Sequence, residues 1–152
     1  MAIVNTLRTY KVGDEITPLS KTMSQEAINA FEKSGGAKGP SQFTDLETAK
    51  STLGTATTVA SGRMSLTFTI EMLRRHFGAD VYNAGGMVDM RFLRPVRPGD
   101  TVTFTGKVTG MVKEADGTRV SVECTGTNQK GAVTAAGGGA CLVPSGYLPP
   151  EE

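Results

Sequence analysis

The sequence carries a single histidine, His76, set between Arg75 and Phe77, so a mechanism that relays protons through an imidazole has one place to find it. Cys124 and Cys141 lack the Cys-x-x-Cys spacing of a metal site or redox pair; they read as two buried, reduced thiols, and no metal is expected. Ser61 lies in Val59-Ala60-Ser61-Gly62-Arg63, which lacks the glycine two residues before the serine that a nucleophile elbow needs and has no histidine base beside it. Ser34-Gly35-Gly36-Ala37-Lys38-Gly39 is rich in glycine but follows a helical pattern and lacks the Gly-Lys-Ser/Thr of a phosphate loop. What remains is a polar set, Gln42, Asp45, Ser61 and Arg63, in a region with no carboxylate between Glu32 and Asp45. Such a set can do acid–base work only if the fold brings it to one pocket. Arg91, Arg94 and Arg97 form a second set, suited to phosphate groups and equally to a solvated strand edge and turn.

The elements that must position these residues follow from periodicity. Ser24 is a good N-cap, and Ala27, Ile28 and Phe31 give the next segment an apolar face at helical spacing until Ser34, Gly35 and Gly36 stop it. After a polar loop from Gly35 to Phe43, Thr44-Asp45-Leu46-Glu47 reads as a capping box with Thr44 at N-cap, opening a short helix that ends near Gly54. Gly62 to Phe77 is the longest periodic stretch. Leu66, Ile70, Leu73 and Phe77 form one stripe and Met64, Phe68 and Met72 a second beside it, which predicts a central helix covered on most sides.

After Gly78 the period changes to two, and strands are predicted through Val88, Met90 and Phe92, then Val102, Phe104 and Val108, then Val120, Val122 and Cys124, then Ala132 to Val143. Asp116-Gly117 and the Gln129 to Gly131 segment mark hairpin turns. Gly137-Gly138-Gly139 suggests a bulge or close packing of the helix on the sheet, Pro144 ends the last strand, and the chain closes in a tail. One buried helix followed by antiparallel hairpins, with strand-forming sequence before it, is an α+β arrangement: a single hot-dog domain over 1–152.

The whole chain, 152 residues with a net charge of +1, supplies no field for gripping a phosphate backbone, so nucleic acid is not an expected partner. Hydrophobic residues at 38% with 19 Gly and 7 Pro describe a globular, turn-rich body, and no apolar run approaches a membrane span. Met1 to Tyr10 lacks the basic and apolar regions of a signal peptide, so a cytoplasmic location is expected.

Several stretches then carry a resemblance: Tyr10-Lys11-Val12-Gly13-Asp14-Glu15, the helix through Phe31, the Gly39-Pro40-Ser41-Gln42-Phe43-Thr44-Asp45 loop, Val59-Ala60-Ser61-Gly62, and Arg91-Phe92-Leu93-Arg94-Pro95-Val96-Arg97-Pro98-Gly99-Asp100. In this order they resemble the MaoC-like dehydratases, hot-dog proteins related to the (R)-specific enoyl-CoA hydratases. The family's activity rests on a motif similar to G-D-x-N-P-x-H, whose aspartate and histidine activate water for addition to an enoyl thioester. Aligned on Thr44-Asp45, the histidine position falls on Phe43, the Asn-Pro on Gly39-Pro40, and the aspartate near Gly36 or Ala37. Both proton-transfer groups are missing, and His76 lies about 20 Å along the helix from Gly62.

Other parts of the family's machinery are matched. The resemblance implies that the N–H of Gly62, at the start of the central helix, holds the thioester carbonyl; Ser61 replaces a histidine common there, and Arg63 brings a charge where the family has an apolar residue. The expected site therefore lies between the Gly39 to Phe43 loop and Ser61 to Met64. Arg63, Asp45 and Gly62 are its catalytic candidates, and Gln42, Phe43, Ser61 and Met64 its substrate-binding ones. Arg63 is expected to face Gln42 and Phe43 and to hold an enolate, carboxylate or phenolate. Asp45 is also explained as a first-turn helix residue, Gly62 as a plain helix start and Arg63 as a solvent-facing or dimer-contact arginine; a thioesterase is open only through Asp45.

The implied ligand is an acyl thioester of coenzyme A or a carrier protein, with no other cofactor. Two readings follow: a hydratase- or dehydratase-related lyase or isomerase with altered proton-transfer groups, or a catalytically silent acyl-binding subunit that pairs with an active sister. A homodimer, or a heteromer with a related hot-dog subunit, is expected because a single sheet leaves edges exposed.

Overall fold

The computed structural model describes residues 10–146; the N-terminal segment before Tyr10 and the tail from Tyr147 lie outside the described residues. The elements run β1 (Glu15–Met23), α1 (Gln25–Ser34), α2 (Leu46–Leu53), α3 (Gly62–Phe77), α4 (Ala79–Gly85), β2 (Gly86–Phe92), β3 (Asp100–Glu114), β4 (Gly117–Thr127) and β5 (Val133–Pro144). The strands form one antiparallel sheet in the order β1-β3-β4-β5-β2, with α3 packed against it. This is the expected α+β hot-dog arrangement.

Local chemistry sets the element ends. Ser24 caps α1 by accepting from the N–H of Ala27, and Gly54 ends α2 in the left-handed region at φ 67°, where a side chain would strain the backbone. The cap of α2 is Asp45, not Thr44: its carboxylate accepts from Thr48 N at 2.9 Å and Thr48 Oγ1 at 2.6 Å. Thr44 instead accepts from Ser41 N, closing the loop before the helix, so of two adjacent cap-competent residues the carboxylate takes the helix and the hydroxyl the turn. A second difference follows Gly78, where about two helical turns, α4, precede the first of the predicted strands. Val81 and Tyr82 are buried and Cys141 Sγ lies 3.7 Å from Val81 O, so packing on β5 makes this helix where no periodic pattern announces it.

Met64, Met72, Leu73 and Phe77 of α3 are buried against Val102, Phe104 and Val108 of β3 and Val120, Val122 and Cys124 of β4. Pairing of Glu114 with Gly117 leaves Ala115 and Asp116 as the loop of the first hairpin, and Asn128 closes the second by accepting from the N–H groups of Lys130 and Ala132. The triple glycine is a place of close approach. A Cβ on Gly139 would stand 2.8 Å from Leu73 Cδ1, which is how the central helix seats on β5. Among the described residues no helix is long and apolar enough to cross a membrane.

Candidate functional site

Ser61 is the N-cap of α3 in extended conformation, but its hydroxyl makes no capping bond. The first N–H groups of a 16-residue helix are thus left without a side-chain acceptor, at the end where aligned peptide dipoles favour negative charge. Ser61 is 5% exposed, and its Oγ is buried with no hydrogen-bond partner. Uncapped N–H groups beside an orphaned buried hydroxyl leave donors free for water or for a polar oxygen arriving from outside.

A cavity of ≈230 Å³ opens at this point, with Ser61, Gly62 and Ser65 on the helix side and Phe92, Pro95 and Thr134 across it. The far wall is tied down on both sides. Leu93 N and Arg94 N donate to Thr134 O at 2.8 and 3.3 Å, and Val96 O accepts from Ala60 N at 2.8 Å, lacing the segment after β2 to β5 and to the approach of α3. Thr134, 1% exposed, donates its hydroxyl to Gly126 O. The Phe92 ring lies directly over Gly62: a Cβ there would stand 2.5 Å from Cε2 and 2.6 Å from Cδ2. A side chain at position 62 would have to displace the ring.

The other expected site residues lie elsewhere. Asp45 caps α2 through Thr48, and those two bonds, the hydroxyl's first, hold its carboxyl below the usual aspartate range. Gln42 O accepts from Val59 N at 3.3 Å and Phe43 O from Gln25 Nε2 at 2.9 Å, placing that loop beside the strand-like approach to α3. The same Gln25 amide accepts from Thr58 Oγ1, so one side chain of α1 ties the loop to that approach. Phe43 packs on the core and Met64, 2% exposed, is part of it. Of the seven candidates, the cavity lining includes Ser61 and Gly62.

Arg63 leads to a residue the sequence reading passed over. Its side chain is 65% exposed and its Nη2 lies 3.2 Å from Oε2 of Glu32, a carboxylate only 4% exposed at the end of α1. Glu32 Oε1 is buried with no hydrogen-bond partner. Burying a carboxylate is costly unless it is paired, so Arg63 offsets the burial of Glu32 and clamps α1 to the first turn of α3. In the sequence Glu32 looks like any solvated helix glutamate; the signal that could have found it is its place at helical spacing from Ile28, on the buried face. Cys124 and Cys141 are buried, and burial pushes their thiols up to about 12 and about 11, so neither offers a nucleophile at neutral pH. Among the described residues no cluster could hold a metal ion.

A sheet curled on a central helix, with the helix start open to a cavity beside the segment that follows β2, is a hot-dog fold. The MaoC like domain matches residues 13–131, and the chain belongs to that family. The sequence matches no curated protein. The fold is shared with an (R)-hydratase from A. caviae involved in PHA biosynthesis, at TM-score 0.72 and 21% identity over 90% of this chain and 99% of that one. A MaoC-like dehydratase from Rhodospirillum rubrum aligns at TM-score 0.71 and 23% identity, covering 89% and 93%. The ChsH1-ChsH2 complex from Mycobacterium tuberculosis aligns at TM-score 0.70 and 16% identity, covering 88% and 98%.

Proposed function

We propose that this chain is an acyl-thioester-binding member of the MaoC-like hydratases and dehydratases that does not carry the proton-transfer pair itself and works with a related hot-dog subunit that does. The observation that carries the reading is the end of α3: uncapped N–H groups at Gly62 and a buried, unpartnered Ser61 hydroxyl beside a cavity whose lining holds neither a carboxylate nor a histidine. A thioester carbonyl set there would be polarised by the helix start and the serine hydroxyl. Addition of water across an adjacent double bond needs in addition a base to take a proton from water and an acid to protonate the α-carbon. Asp45 is spent on capping, so the partner must supply both. The heteromeric neighbour of similar fold lends this arrangement support.

A second reading rests on Glu32. Glu32 is a buried carboxylate with one unpartnered oxygen, paired to the residue next to Gly62, and that position favours a lyase with a displaced base. The purified protein should bind crotonyl-CoA yet hydrate it at least 10²-fold more slowly than the ~10 s⁻¹ of a median enzyme. Turnover near that median, abolished by Glu32→Gln, would establish the second reading and remove the first.

A further inference from the structure

The wall of the α3 cavity is polar beyond the helix start. Ser65 lines it three residues after Gly62, about 4.5 Å further along the axis by helical rise, and four after Ser61, on the same helix face. It is 4% exposed, and among the described residues its hydroxyl has no hydrogen-bond partner; its carbonyl accepts from Thr69 Oγ1 at 2.9 Å. Across the cavity Thr134, 1% exposed, gives its hydroxyl proton to Gly126 O at 3.3 Å, so its oxygen is left only to accept. Phe92, Pro95 and Val96 add apolar wall. A buried hydroxyl without a partner is costly, and one that lines a cavity marks a place for a ligand's polar atom. The space is also small: ≈230 Å³, at about 30 Å³ for each water-sized group, admits about seven or eight non-hydrogen atoms.

We propose that this cavity selects a short acyl group bearing a hydroxyl on the carbon after the double bond, and that Ser65 is the residue that reads it. The inference rests on the acyl-thioester reading above and names its substrate class, a γ-hydroxylated short-chain enoyl thioester. With the carbonyl at Gly62, an acyl chain running along α3 passes the two carbons of the adjacent double bond and brings the next carbon level with Ser65. The Ser65 hydroxyl can donate to an oxygen there or accept from it, whereas Thr134 accepts only, which favours an O–H on the ligand over a keto oxygen. A plain hydrocarbon chain in the same place would strip water from Ser65 and give it no partner, and a site of that kind discriminates more sharply than one that measures size alone.

Calorimetric titration of the full-length protein with 4-hydroxycrotonyl-CoA, crotonyl-CoA and 2-pentenoyl-CoA tests it, since the last carries a methyl group where the first carries its hydroxyl. The hydroxylated thioester should bind at least about tenfold tighter than either of the others. In Ser65→Ala, which substitutes a better helix former, the three affinities should fall within about twofold of one another. A role of Ser65 in folding alone would weaken all three ligands together and leave their ratios as they are in the wild type. Binding of 2-pentenoyl-CoA as tightly as 4-hydroxycrotonyl-CoA, or a preference for the hydroxyl that survives Ser65→Ala, overturns the hydroxyl subsite and leaves the acyl reading standing. Absence of binding by all three overturns both.

Discussion

Asp45 shows how one residue can look catalytic and be structural. Both its recorded bonds come from Thr48, and each stabilises the ionised form, which lowers its pKa. A carboxylate already holding a hydroxyl and an N–H is a poor proton acceptor and a good helix cap. The folded pKa lies below the unfolded one, so the stabilisation is complete at neutral pH and fades as pH falls from the usual aspartate value of about 3.9 through the folded pKa. Asp45→Asn should therefore melt below the wild type at pH 7, with the gap closing only under strongly acidic conditions. Thermal melts of both proteins across this range check it; a gap that closes between pH 5 and 7 would place the titration on another group. Which of Thr44 and Asp45 caps the helix was not legible in the sequence, because both types cap well and the choice depends on the turn that Thr44 closes with Ser41. Ser61 was legible as a neighbour of the helix start, but its unsatisfied hydroxyl was not, since only the fold reveals what fails to reach it.

At the scale of elements, α3 was plain in the sequence because two apolar stripes over 16 residues leave few alternatives, and the hairpin positions were plain because turn residues interrupt a period of two. The helix α4 was not, having seven residues, a glycine cap without a side-chain bond and its packing on β5 and α3 to hold it. The Glu32–Arg63 clamp was not legible either, as its partners lie on different helices and meet only when the loop and α2 fold between them. Of the bulge and the close packing that the triple glycine of β5 suggests, the structure has the packing, with unbroken pairing through 137–139, and it sorts the glycines by what they touch. Gly139 faces Leu73 of the helix, whereas a Cβ on Gly137 would run into the backbone oxygen of Asp89 on β2. A side chain can rotate away; a paired strand cannot. Gly137→Ala should therefore cost about 1–3 kcal/mol by forcing β2 off β5. Gly110→Ala, where the nearest atom is Ser121 Cβ at 3.9 Å, should fall within about 1 kcal/mol of the wild type or be slightly stabilising. Urea titrations of the two variants decide the matter, and equal costs would mean that β2 yields more easily than its pairing suggests.

At the scale of the molecule, the two edges of the sheet are unequal. The β1 edge is blunted by Pro18, by a register shift between Ile16 and Leu19, and by Lys21, which pairs with Glu71 at 3.5 Å. The β2 edge has none of these devices: its pairing with β5 runs unbroken from Gly86 to Phe92, it contains no proline or lysine, and Met87, Phe92 and Leu93 are each more than half exposed. A regular edge fringed with apolar side chains is a template for another strand, and Phe92, which roofs Gly62, would then stand at the junction of the two subunits. Pairing along β2 would thus cover the edge and bring a second subunit's residues to the mouth of the α3 cavity, where the proposed function needs an acid and a base. Sedimentation at micromolar concentration should find the wild type paired with itself or, when co-expressed, with a related hot-dog chain. Met87→Lys/Leu93→Lys should shift it toward monomer while leaving its circular dichroism unchanged, because both side chains are exposed and neither belongs to the core cluster. A wild type that sediments as a monomer alone and with such a chain would remove the junction, and with it the route by which a partner's proton-transfer groups reach Gly62.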